Sequence, residues 1–240
     1  MTMKKTLAKL EKGEHVTIVA LGDSITENTF QTRGRMNWVS LLDEAIFEKY
    51  GNGICTVINS GKCGSSFREG LTRLDRDVLR FRPDLVIIAF GMNDAGMGIK
   101  GLEDFRKDVR ATVMRIRESC GSEILIRTPN PVVAEPGGPY PPGKGPGDAY
   151  DPENRPLKEY SAALVRIAGE LKCAVVDHYS LWTREKYKIR HAVANSCGLW
   201  MRMGDRVHPN WLGHLVFYRE LAPIFGLPLY FPWEDIKEQR

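Results

Sequence analysis

The feature that most constrains this chain is an alternation of short β-branched runs with stretches of helical spacing. Residues 16–21 (VTIVAL) form a β-branched run that stops at Gly22 and reads as a buried strand. Trp38, Leu41, Leu42, Ala45 and Ile46 recur at helical spacing and predict a helix over 36–50, ended by Gly51. A second strand is expected over 55–59. Leu71, Leu74, Val78 and Leu79 predict a second helix over 67–80, broken by Pro83. Residues 84–90 are apolar almost throughout, as befits a strand covered on both sides. A helix over 102–119, a strand over 123–128, a helix over 157–171 and a strand over 173–177 continue the series. Helical pattern then runs to about Tyr187, and a last helix is expected over 210–221. Five strands alternating with helices imply an α/β fold: one five-stranded parallel sheet with helices on both faces. Sheets of this kind place ligands at the carboxyl ends of their strands.

A chain of 240 residues, 42% hydrophobic, buries a full core without disulfides or structural metal. We expect one domain over 1–240, with its core over 16–221 and a C-terminal extension over 222–240. The Pro- and Gly-rich stretch at 136–147 reads as a loop, because the β/α pattern resumes after it. Lys plus Arg is 34 and Asp plus Glu 30, a net charge of +4, too weak to argue for nucleic acid as partner. The five cysteines are odd in number and none forms a C-x-x-C pair, which argues against a disulfide framework and a thiolate zinc site. Reduced thiols and an N-terminus without an apolar signal-peptide core point to the cytoplasm. No apolar run exceeds strand length, so no membrane association is expected. The aromatic-rich residues 227–233 fit a homo-oligomer contact, or packing on their own domain.

Polar motifs sit where strands end. The first strand runs into Gly22-Asp23-Ser24-Ile25-Thr26-Glu27, the second into Asn59-Ser60-Gly61-Lys62-Cys63-Gly64 and the third into Gly91-Met92-Asn93-Asp94. Asp205-Arg206-Val207-His208-Pro209 precedes the last helix. A serine hydroxyl is a poor nucleophile until a base takes its proton. Imidazole suits that task near neutral pH, provided a carboxylate fixes its tautomer. Asp205 and His208 are three apart, which brings both side chains to one side of a turn. Attack on an ester carbonyl makes an oxyanion, and the Gly61 N–H, the Asn93 amide and the Ser24 N–H are suitable donors. Asp23 is expected to tie the serine turn together by accepting backbone N–H groups, with Asn59 and Asp94 also behind the site.

Each motif has a plainer reading. Ser24-x-x-Glu27 fits a helix capping box, Gly61 and Gly64 fit turns, and Asn93-Asp94 fits an N-cap. Taken together, four motifs in order supply nucleophile, base, orienting acid and oxyanion donors. No G-x-S-x-G elbow occurs, which excludes the ordinary α/β-hydrolase arrangement.

These residues resemble the SGNH, or GDSL-type, hydrolase family, named for Ser, Gly, Asn and His in four blocks, matched here by Ser24, Gly61, Asn93 and His208. The resemblance spans about residues 16–221. It implies a flavodoxin-like three-layer α/β/α sandwich, ester hydrolysis through an acyl-serine, and no cofactor or metal. The segment Asp205-Arg206-Val207-His208-Pro209-Asn210, with Gly213-His214, resembles the intracellular acetylxylan esterase branch, although Asn210 stands where that branch has Ser. The loop at 136–147 is longer than expected there, which bears on the shape of the cleft. The resemblance thus implies a small acyl ester of a carbohydrate as substrate. Lipid or thioester acyl chains, a catalytically silent binding protein and, more weakly, a metal-dependent hydrolase using Asp205 and His208 are the rival readings.

Of the other histidines, His15 and His191 read as surface residues, His214 as a packed or capping residue, and His178 as structural or cleft-lining. Tyr140, Tyr150, Trp182, Trp200 and Trp233 lie in or beside predicted loops, as a sugar platform or as loop anchors. Arg33 and Arg35 fit either substrate contacts or solvated charges.

Overall fold

The computed structural model describes residues 3–27, 30–132, 155–183, 205 and 207–229. In chain order the elements are α1 (Lys4–Glu11), β1 (Val16–Gly22), α2 (Trp38–Tyr50), β2 (Cys55–Gly61), α3 (Phe67–Thr72), α4 (Leu74–Asp77) and β3 (Leu85–Ala89). They continue with α5 (Met92–Ala95), α6 (Leu102–Cys120), β4 (Glu123–Arg127), α7 (Arg155–Glu170), β5 (Ala174–Val176), α8 (His178–Thr183) and α9 (Trp211–Leu221). The strands form one parallel sheet in the order β2-β1-β3-β4-β5. Helices α2 and α9 pack together on one face, while α3, α6 and α7 pack on the other. This is the expected three-layer α/β/α sandwich.

Burial follows the sequence pattern. Strand β3 is buried at every position, and only Thr17 of β1 is partly exposed. Helix α6 buries Leu102, Phe105, Val109, Val113 and Ile116, the stripe that a period of 3.6 places on one side. Helix α2 starts where Asn37 Oδ1 accepts the Val39 and Ser40 N–H groups (both 3.1 Å). It stops at Gly51, whose φ of 95° suits glycine. Past the expected core boundary, Ala222, Phe225 and Leu227 are still buried in the main core.

The segment over 67–80 departs from the single helix expected. It breaks into α3, α4 and a 3₁₀ turn at Leu79–Phe81. Arg73 causes the break. It leaves helical geometry (φ −101°, ψ 8°), and its buried guanidinium donates to Gly22 O (2.8 Å), Ser60 O (2.9 Å) and Asp77 Oδ2. The side chain thus adds a donor to carbonyls at the ends of β1 and β2, where Gly22 O also accepts the Lys62 N–H (3.0 Å). Helix α1 was not expected either. Its first N–H groups, on Lys5 and Thr6, donate to Glu123 at the start of β4 (3.1 and 2.8 Å). The loop at 136–147, His191, residues 184–187, Tyr140, Tyr150, Trp200 and Trp233 lie outside the described residues.

Candidate active site

The serine turn is built by crowding. At Gly22 a Cβ would sit 2.0 Å from Thr26 Oγ1 and 2.8 Å from Ala89 O, so only glycine lets the chain turn directly off β1. The buried Asp23 then clamps the turn. Its Oδ1 accepts the Ile25 N–H (2.9 Å), and its carbonyl accepts the Thr26 and Glu27 N–H groups (3.1 and 3.0 Å). No helix starts here, so Ser24 is not a cap. The capping box lies instead at Ser66 and Glu69, which begin α3.

Ser24 Oγ meets His208 Nε2 at 2.9 Å, across 184 positions of sequence. His208 Nδ1 meets Asp205 Oδ2 at 2.8 Å. An ionised carboxylate only accepts, so Nδ1 carries the proton and Nε2 is free to accept from the serine. Asp205 Oδ1 takes the Val207 and His208 N–H groups, both at 2.7 Å. Burial pushes the Asp205 carboxyl up. The His208 ring N–H and the His208 and Val207 backbone donors outweigh it and hold the group well below the usual carboxylate range. Two side chains that the motifs do not point to complete this corner. Gln31 Nε2 donates to Asp205 Oδ2 (2.8 Å), and Asn130 Nδ2, just beyond β4, donates to Val207 O (3.1 Å). Both are buried amides, Gln31 in a 3₁₀ turn and Asn130 in a loop, and nothing in their local sequence marks them out.

The expected oxyanion donors are placed unequally. The Ser24 N–H has no partner among the described residues. Asn93, in α5, uses its amide nitrogen once, donating to Ser65 O (3.0 Å), which leaves one N–H. The Gly61 N–H is committed to Asn59 Oδ1 at 2.9 Å, while Asn59 Nδ2 donates to Thr26 O at 2.8 Å. A Cβ at Gly61 would lie 2.2 Å from the Glu27 backbone nitrogen, so the missing side chain makes room for the serine turn.

Beneath the rim, Asp23 and Asp94 are buried carboxyls. Burial raises Asp23 to about 6, against the Ile25 N–H and the charge of Arg127. Burial raises Asp94 to about 7, the Phe67 N–H (3.0 Å) opposing and the Asp23 charge adding. Arg127 ends β4 with its guanidinium carbon 4.0 Å from the Phe217 ring centroid and 4.9 Å from that of Trp38, and burial lowers it to about 10.

The remaining candidates separate cleanly. His15 is exposed and meets Thr56 Oγ1 at 3.0 Å. His178 is buried against Glu220, and His214 is buried where its Nδ1 accepts the Trp38 N–H (3.3 Å). Trp182 is a core residue rather than a sugar platform: it stacks on Phe217 at 4.7 Å and donates to Glu220 at 3.1 Å. Arg33 is exposed, and Arg35 lies 4.6 Å over the Trp211 ring, near His208 in sequence. Among the described residues no helix is long and apolar enough to cross a membrane, and no group of three His, Cys, Asp or Glu is placed to hold a metal ion.

Comparison with known proteins fits this geometry. The GDSL-like Lipase/Acylhydrolase family matches residues 20–216. An acetylxylan esterase of Geobacillus stearothermophilus is 26% identical over 245 residues, spanning 94% of this chain and 98% of that protein. An arylesterase of Vibrio mimicus is 37% identical over 112 residues, 46% of this chain and 53% of that one. Among solved structures, a catalytic mutant of the acetylxylan esterase Axe2 from Geobacillus stearothermophilus superposes with a TM-score of 0.68 at 21% identity, covering 90% of this chain and 96% of that one. That likeness speaks to the fold.

Proposed function

The chain belongs to the GDSL-like lipase/acylhydrolase family and is a carboxylic ester hydrolase; we propose that it removes small acyl groups, acetyl above all, from carbohydrates. The observation that carries the reaction is the hydrogen-bonded series from Ser24 Oγ through His208 to Asp205, 2.9 and 2.8 Å. Ser24 attacks the ester carbonyl and His208 Nε2 takes its proton. The sugar alcohol leaves with that proton, and an acyl-serine remains. Water, deprotonated by His208, then releases the acid. The oxyanion of both steps is met by the Ser24 N–H and the second Asn93 N–H. Gly61 joins them once its N–H exchanges Asn59 Oδ1 for the oxyanion.

Ser24→Ala should lose at least about three orders of magnitude in kcat on an aryl acetate. Turnover like wild type would end this reading. A serine-directed fluorophosphonate separates an esterase from a silent binding protein, which it would not label. The sugar acetyl substrate is supported by likeness to the acetylxylan esterase. Acetate release across acetylated oligosaccharides, with Ser24→Ala beside it, tests it directly. A second reading, longer acyl chains, draws on the exposed Phe30 (84%), Met97 (59%) and Ile99 (56%), which follow β1 and β3 in the chain. Activity on aryl esters rising from acetate to octanoate would favour it.

A further inference from the structure

We propose that Gln31 is a positioning residue for this reaction, its buried amide holding the Asp205 carboxylate in the orientation that serves His208. The inference rests on the reading of Ser24, His208 and Asp205 given above. Gln31 lies in the 3₁₀ turn Phe30–Thr32, which leaves the serine loop, and is 7% exposed. Its Nε2 is 2.8 Å from Asp205 Oδ2, the same oxygen that takes the His208 ring proton at 2.8 Å. The other carboxylate oxygen takes two backbone N–H groups. Four donors on two oxygens leave the carboxylate no freedom to turn about its own bond.

The amide must face this way round. Turned over, Gln31 would set its carbonyl against a carboxylate that only accepts. As placed, Gln31 Oε1 is buried and has no hydrogen-bond partner among the described residues. A buried acceptor without a donor is costly, so the side chain is poorly explained as a local tie for its own turn. Among the described residues its side chain makes one hydrogen bond, to Asp205. His208 is the titratable group that acts on Asp205 among the described residues, so loss of the Gln31 donor falls on that pair. A carboxylate that swings or recruits water presents a displaced acceptor to Nδ1, and small misplacements of a general base are expensive in rate.

The test uses two substitutions in the full-length protein. Gln31→Met keeps shape and removes the donor; kcat on an aryl acetate should fall roughly 10- to 100-fold with KM within about twofold. Gln31→Glu donates as Gln does while its carboxyl is protonated, and opposes Asp205 once ionised. Its kcat relative to wild type should therefore fall steadily as pH rises, a signature that a purely structural loop contact would not give. Should Gln31→Met fail to fold, the Gln31→Glu ratio decides. A flat ratio from acid to alkaline pH, or wild-type kcat in Gln31→Met, overturns the proposal. Ser24→Ala run in parallel separates the causes: if it stays active the triad reading has failed, and if it is inactive only the role of Gln31 has.

Discussion

Gly61 is under two demands, and they come from different neighbours. Its missing side chain leaves room for the Glu27 backbone, 2.2 Å from where a Cβ would be, and its N–H is held by Asn59 Oδ1. Gly61→Ala must push the serine turn away from β2. Its kcat on an aryl acetate should drop at least about 100-fold, as a misplaced nucleophile would. Gly64, three residues on, has φ of +72° and open space around its Cβ position. Gly64→Ala should cost only left-handed strain, about 1–2 kcal/mol, seen as a lower denaturant midpoint with kcat largely kept. Asn93→Ala removes the oxyanion donor together with the bond to Ser65 O, and should cost roughly 10²–10³ in kcat with little change in KM. Equal kinetics for Gly61→Ala and Gly64→Ala would show that crowding against Glu27 does not govern the site.

At the scale of elements, the strands were legible because burial on both faces writes itself into consecutive apolar residues, as in 84–90. The Ser24, Asp205 and His208 motifs were legible because their chemistry demands residue types at fixed local spacing. What stayed hidden acts at long range. Gln31 meets Asp205 and Asn130 meets Val207 across 174 and 77 positions, and no local period records either. Arg73 is the same case inside a helix. The apolar period over 67–80 is real, with Leu74 and Val78 fully buried, yet Arg73 bends the chain to reach carbonyls ending β1 and β2. Arg73→Met would remove the guanidinium from Ser60 O and from Gly22 O, which keeps the Lys62 N–H, and leave Asp77 without its buried partner. We expect a loss of roughly 3–5 kcal/mol, the scale for breaking a buried charged network, measured by chemical denaturation. Because Gly22 leads into the serine turn, kcat should fall with it. A midpoint unchanged from wild type would mean that water replaces the guanidinium without penalty.

For the whole molecule, the layer beneath the catalytic rim sets how stability follows pH. Unfolded carboxyls lose their protons near 4, whereas Asp23 and Asp94 keep theirs to about 6 and about 7 through burial. The folded state then binds extra protons between those values, so these two groups lower stability as pH rises across that window. The buried histidines pull the other way. Burial lowers His178 to about 4, against its bond to Glu220, and lowers His214 to about 3, with the Arg127 and His208 charges adding. Unfolded histidines take a proton below about 6.5 and these do not, so their part in stability is complete above about 6.5 and declines as pH falls below it. Asp205, held low, contributes fully throughout this range and loses its contribution only in stronger acid. Two falling and two rising trends nearly cancel between about pH 4.5 and 6.5, and the melting temperature of the wild type should be close to flat there. Asp94→Asn removes one falling trend while its side-chain carbonyl still accepts the Phe67 N–H. Its stability should then climb with pH by roughly 1.4 kcal/mol per unit, a rise in Tm of several degrees between pH 4.5 and 6.5. Parallel Tm curves for the variant and the wild type would show that Asp94 ionises as an ordinary surface carboxyl and that burial beneath the rim does not govern its proton.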